Sequence, residues 1–145
     1  MRVWLSAFNI FEEPDGSWDA LPPAAMKPRG PNASGFAVLD FLTLDDYCAR
    51  AGPPDLIKID VEAYQTKAVS GAKEVLQTAK PAVIIELHDA EKTARLSTSN
   101  AETVSLLREA GYRGYVSRNF RDPDAVFEPL EVVPETLCLA VFVPC

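Results

Sequence analysis

The stretch Asp55-Leu56-Ile57-Lys58-Ile59-Asp60-Val61, followed about twenty residues later by Ala82-Val83-Ile84-Ile85-Glu86-Leu87, decides the fold. Both are apolar, largely β-branched runs of strand length. Between them Ala68, Val69, Ala72, Val75, Leu76 and Ala79 recur at spacings of one, three and four, which predicts one helix over 68–79 with a single apolar stripe, ended by Lys80-Pro81. Strand, helix, strand over roughly 30 residues is a βαβ unit, right-handed by the general rule. The second run is almost uninterrupted in apolar residues, the pattern of a parallel strand buried on both faces.

Upstream, Thr43-Leu44-Asp45-Asp46 predicts a short helix with Thr43 as its cap and the two acids near its positive end, stopped by Gly52-Pro53-Pro54. Phe36 to Phe41 reads as a short strand, and residues 12–35, with five prolines and three glycines and no period, as an irregular loop. Downstream, Ser99-x-x-Glu102 is a capping box that opens a helix with Val104, Leu106, Leu107 and Ala110 on its apolar face, and Gly111 suits its stop. Tyr112 to Ser117 and Leu137 to Val143 complete the strands, joined by a connection over 118–134 that turns at Asp122-Pro123-Asp124. The architecture is α/β, one open sheet with a parallel βαβ core.

At 145 residues the chain has the length of one domain, and 48% hydrophobic with 24% charged residues is a globular composition. A formal charge of −7 argues against a nucleic-acid partner, whose phosphates demand a cationic face. No apolar run reaches the ~18–20 residues that span a bilayer, so no membrane partner is expected. The N-terminus lacks the pattern of a secretory signal, which leaves Asn32-Ala33-Ser34 as a chance glycosylation triplet. Cys48, Cys138 and Cys145 are odd in number and far apart, so neither a disulfide framework nor a metal site is expected, and buried thiols in a reducing cytoplasm are.

Ligands of open α/β sheets bind beyond the carboxyl ends of the parallel strands. Asp60 and Glu62 end the first strand, and Glu86, His88 and Asp89 the second, so the βαβ unit brings both clusters to one sheet edge. Carboxylates with a histidine beside them suit a general base, a divalent cation or the orientation of a polar substrate. The plainer reading has Asp60 and Glu62 capping the following helix, with Glu86 and His88 solvated. Arg113, Arg118 and Arg121 make either an anion-holding patch or a solvated surface. Trp4, Trp18, Tyr47 and Tyr64 read as packing residues. Neither Gly-x-x-x-x-Gly-Lys-Ser/Thr nor Gly-x-Gly-x-x-Gly occurs, so no phosphate-cradling turn can be named.

In order and spacing, Leu44-Asp45-Asp46, Ile57-Lys58-Ile59-Asp60-Val61-Glu62, Val69-x-Gly71-Ala72 and Ile85-Glu86-x-His88 together resemble the FkbM family of S-adenosylmethionine-dependent methyltransferases. The resemblance implies a class I methyltransferase (Rossmann-like) sheet with an antiparallel C-terminal strand, to which this chain supplies the fourth to seventh strands. It implies methyl transfer from S-adenosylmethionine to a hydroxyl oxygen of a sugar or other small metabolite. Asp60 and Glu62 would lie beside donor and acceptor, with Asp60 as the donor-binding residue, and Glu86 and His88 at the neighbouring strand end. The base that takes the hydroxyl proton would be Asp60 or His88.

Two features depart from the family pattern. Where the family continues Asp-Val-Glu with Gly-x-Glu, this chain has Ala63-Tyr64-Gln65, so a site acid is replaced by a neutral amide. The glycine-rich first strand and turn are not found in the residues before Phe36, so residues 1–145 read as one partial domain, the C-terminal part of a methyltransferase. A truncated or inactive form follows as an expectation, with a non-catalytic binding or structural module that has lost donor binding as the alternative. The first legible strand would then have an open edge, to be covered by residues 2–11, by a second copy or by a partner chain. Ile-Lys-Ile-Asp also occurs in EAL-type phosphodiesterases, but their upstream Glu-Ala-Leu is missing. A receiver domain fails because the 20 residues from Asp60 to Lys80 leave no room for its intervening strand and helices.

Overall fold

The computed structural model describes the strand backbone at 3–7 and residues 42–145. The loop read over 12–35 and the strand read over 36–41 lie outside the described residues. Six strands form one sheet: β1 (Val3–Ala7), β2 (Leu56–Asp60), β3 (Ala82–Leu87), β4 (Tyr112–Ser117), β5 (Glu128–Pro129) and β6 (Cys138–Pro144). Their order is β1-β2-β3-β6-β4-β5. The first three are parallel, with Val3 opposite Leu56 and Leu56 opposite Ala82. β6 enters antiparallel between β3 and β4, pairing Val83 with Phe142 and Gly114 with the same Phe142. This is a Rossmann-like open α/β sheet with an antiparallel C-terminal strand. The edge of β2 that the sequence leaves open is taken by β1.

Burial alternates along β2 and β3 rather than covering both faces: Ile57, Ile59, Val83, Ile85 and Leu87 are buried, while Leu56, Lys58, Asp60, Ala82, Ile84 and Glu86 are half-buried. The reading of β3 as buried on both faces is corrected accordingly. The buried face packs in one cluster with Val69, Val75 and Leu76 and with Val104 and Leu107. Phe142 is fully buried there, and it requires Gly114: a Cβ at that position would stand 2.7 Å from the Phe142 ring.

Five helices are described: α1 (Leu44–Ala51), α2 (Gln65–Ser70), α3 (Lys73–Thr78), α4 (Ala90–Arg95) and α5 (Asn100–Glu109). Thr43 caps α1 by accepting from Asp46 N–H, and Gly52 at φ 79° closes it. Ser99 caps α5 and Gly111 follows it at φ 84°. The single helix expected over 68–79 is instead two, broken at Gly71-Ala72. The break has a tertiary cause. Asp45 N–H donates to Gly71 O at 3.0 Å, and the Asp45 carboxylate accepts from Glu74 N–H at 3.1 Å and Val75 N–H at 2.9 Å. Asp45 therefore caps α3 from α1, where the local N-cap residue, Ala72, has no side chain able to do so. A side chain at Gly71 would press on Thr43, 3.3 Å from an added Cβ.

α4 is not legible in the sequence. It has six residues and one buried side chain, Thr93, too little for an apolar stripe to appear. Cys48 and Cys138 are buried, and desolvation pushes the Cys138 thiol up to about 11. Cys145 is exposed, contrary to the expectation of buried thiols. Tyr47 and Tyr64 pack against the core, as read. Among the described residues no helix is long and apolar enough to cross a membrane.

Candidate functional site

β2 and β3 run in register, Ile59 opposite Ile85, so the next position on each strand sets Asp60 beside Glu86 at the carboxyl end of the sheet. Lys58, two residues back on the same strand face, donates to Asp60 Oδ2 at 3.0 Å. This contact holds the Asp60 carboxyl below its ordinary range. Glu86 goes the other way. Burial and the Asp60 charge push its pKa up, and Arg121, 3.7 Å away with its guanidinium stacked over Phe120, offsets only part of that. The pair is thus an ionised Asp60 hydrogen-bonded to a more proton-retaining Glu86.

Past β2 the chain turns sharply. Tyr64 N–H donates to Val61 O at 2.9 Å, with φ of 50° at Glu62 and 76° at Ala63. Positive φ at both central residues is the type I′ pattern, which glycine or asparagine adopts far more readily than glutamate or alanine. The turn points Glu62 toward the end of β3. There its Oε2 lies 3.8 Å from His88 Nε2 and accepts from Lys92 Nζ. Lys92 is brought by α4, whose cap is Asp89, accepting from Lys92 N–H at 2.8 Å.

His88 is 6% exposed, and burial followed by the Lys92 charge lowers its pKa against the opposing pull of Glu62, Asp89 and Asp60. Its Nε2 is buried with no hydrogen-bond partner among the described residues. A neutral imidazole with an unused buried nitrogen is costly to leave unpaired. Its backbone is fixed: Asn100 Nδ2 donates to His88 O at 2.6 Å and to Pro134 O at 3.1 Å. Asn100 Oδ1 in turn accepts from Gln65 Nε2 at 3.1 Å. Gln65 is fully buried and serves this network.

The four residues singled out from the sequence, Asp60, Glu62, Glu86 and His88, are therefore brought to one edge. Asp60 and Glu62 do not cap the following helix: α2, with Tyr64 as its N-cap, has no side-chain cap hydrogen bond. Nor is His88 solvated. Of the three arginines, Arg121 reaches the site, while Arg113 and Arg118 are exposed. Lys58, Lys92 and Asn100 were missed. The i, i+2 spacing of Lys58 and Asp60 on a strand was the available signal for the first; Lys92 and Asn100 had none, since their contacts depend on an unread helix and on a 35-residue separation from Gln65.

No curated protein and no solved structure matches the chain. A family model described as the methyltransferase FkbM domain matches residues 8–113, which include β2, β3, α4, α5 and every residue of the Asp60–Glu86 and Glu62–His88–Lys92 groups. By that match over most of its length, the chain belongs to the FkbM methyltransferase family.

Proposed function

We propose that the chain serves methyl transfer from S-adenosylmethionine to a hydroxyl oxygen of a sugar or other small metabolite, with His88 as proton acceptor and Asp60 on the donor side. The observation that carries this reading is the buried, unpartnered Nε2 of His88 beside an ionised Asp60 at the carboxyl end of two parallel strands. The residues fit the donor in charge. A sulfonium and an ammonium are cationic, and Asp60, kept ionised by Lys58, offers the anionic partner.

The bound donor supplies an electrophilic methyl group, so the protein's task is alignment and removal of one proton. His88 Nε2 accepts the hydroxyl proton, and the neighbouring Glu62 carboxylate offsets the charge that the imidazole gains. Burial that favours the neutral imidazole also keeps Nε2 free to accept. Burial and the Asp60 charge raise the Glu86 pKa, so of this pair Glu86 is the first to take up a proton as pH falls.

Calorimetric titration of the folded chain with S-adenosylmethionine and S-adenosylhomocysteine tests the reading. Saturable binding, weakened in Asp60→Ala, is the expected result, followed by product formation on hydroxyl acceptors that His88→Ala abolishes. A folded chain that binds neither compound overturns it and favours a binding module in which Gln65 serves structure alone.

A further inference from the structure

The Glu62–Lys92 ion pair lies over a third side chain, His88. Three elements converge on one carboxylate oxygen, Glu62 Oε2. The strained turn after β2 delivers Glu62 at φ 50°, α4 delivers Lys92, and the end of β3 delivers His88. The Glu62 and Lys92 side chains are 50% and 38% exposed, while the His88 side chain is 8% exposed. The ion pair is thus the solvent-facing layer, and the imidazole nitrogen lies beneath it.

We propose that Lys92 is a positioning residue of this site: by pairing with Glu62 it holds the carboxylate over His88 Nε2, closing that nitrogen to bulk water in the unliganded chain, until an acceptor hydroxyl takes the place of the carboxylate, and orienting the imidazole. The proposal rests on the reading of His88 as proton acceptor. Residues on every neighbouring element bear on the imidazole: Glu62 and Asp60 from β2 and its turn, Asp89 before α4, and Lys92 on α4. Without Lys92, Glu62 is free to swing into solvent, or to bind an imidazolium undiluted by the ammonium. Water reaches Nε2 in the first case, and protonation is favoured in both.

The chain has one histidine, so its imidazole signals are assigned without ambiguity. In the unliganded chain, Lys92→Met is expected to move the NMR titration midpoint of His88 to higher pH. It is also expected to raise the rate of diethyl pyrocarbonate modification at His88 several-fold, while Lys92→Arg leaves both near wild type. Glu62→Gln keeps the bulk over Nε2 and removes the carboxylate charge, so it is expected to move the midpoint to lower pH. Folding is checked by circular dichroism, and the half-exposed Lys92 is not expected to disturb it. A Lys92→Met chain with unchanged midpoint and unchanged modification rate overturns the proposal. Both readouts are taken without donor or acceptor, so failure to bind S-adenosylmethionine overturns the proposed function and leaves this test standing by itself.

Discussion

Replacing Asp45 with alanine isolates a contact between helices that decides how the middle of the chain is built. Its two carboxylate oxygens accept from Glu74 and Val75 N–H at 3.1 and 2.9 Å, in the first turn of a six-residue helix with no cap of its own. Losing an N-cap side chain costs about 1 kcal/mol, and up to about 2 in proteins. Here the acceptor is charged and sits at the positive end of the helix, which adds roughly 0.3–1 kcal/mol. Water can replace it at the exposed Glu74 N–H but less well at the partly buried Val75 N–H. A loss of about 1.5–2 kcal/mol follows, or a fall in Tm of roughly 3–8 °C for a chain of this size.

The assay is thermal unfolding by circular dichroism, with amide exchange at Glu74 and Val75 read by NMR. Asp45→Asn keeps one acceptor oxygen and loses the charge, so about half the loss is expected. Asp46→Ala removes only the exposed hydrogen bond that Thr43 Oγ1 donates to Asp46 Oδ2, keeps the backbone N–H bond of the cap, and should stay within ~0.5 kcal/mol of wild type. Equal effects of Asp45→Ala and Asp46→Ala, or unchanged protection at Val75, would refute the assignment.

Asn100→Leu leaves His88 O, Pro134 O and Gln65 Nε2 buried without partners, and a loss of about 3 kcal/mol is expected in denaturant unfolding. Ala63→Val puts a β-branched side chain at φ 76° in a fully buried site, so destabilisation above ~2 kcal/mol is expected; Ala63→Gly trades ~1 kcal/mol of backbone relief against a buried methyl of ~0.8 kcal/mol and should fall near zero. Glu86 has its pKa raised, so its contribution is full below 4.5 and lost as pH rises through the higher folded value; Glu86→Gln should therefore raise Tm in neutral and alkaline buffer and not in acid. His88 has its pKa lowered, so stability present above 6.5 is lost as pH falls; the pH dependence of Tm on the acid side should be shallower in His88→Asn.

Local signals in the sequence carry most of the structure that is decided locally, the short helix α4 excepted. The Thr43 and Ser99 caps, the stops at Gly52 and Gly111, and the strands β2, β3, β4 and β6 all follow from periods and caps within a few residues. The failures are tertiary. The apolar stripe over 68–79 is real, but it cannot report that Asp45 claims the backbone in its middle. Likewise β3 is apolar at Ala82 and Ile84, yet those positions are only half-buried. The candidate site residues are legible because parallel neighbours must align their carboxyl ends; Lys92 is not, because α4 is too short to carry a period.

The turn at Glu62-Ala63 joins these two levels. A strand that ends at Asp60 and must lead directly into α2 at Gln65 has four residues in which to reverse, and the Val61 to Tyr64 hydrogen bond does this with both central residues in the left-handed region. For residues with a Cβ this costs roughly 1–2 kcal/mol each. A glycine at position 63, as the family pattern has it, removes one of those costs, and this chain retains the turn without it. What holds the conformation here is visible: Thr98 Oγ1 donates to Ala63 O at 2.6 Å, Ala63 is fully buried, and Glu62 is tied to Lys92. Strain of this kind persists only where the surrounding structure over-determines it, as these contacts do here. In an extended conformation Glu62 would continue along the line of β2; in this turn its carboxylate lies instead over the end of β3, 3.8 Å from His88 Nε2.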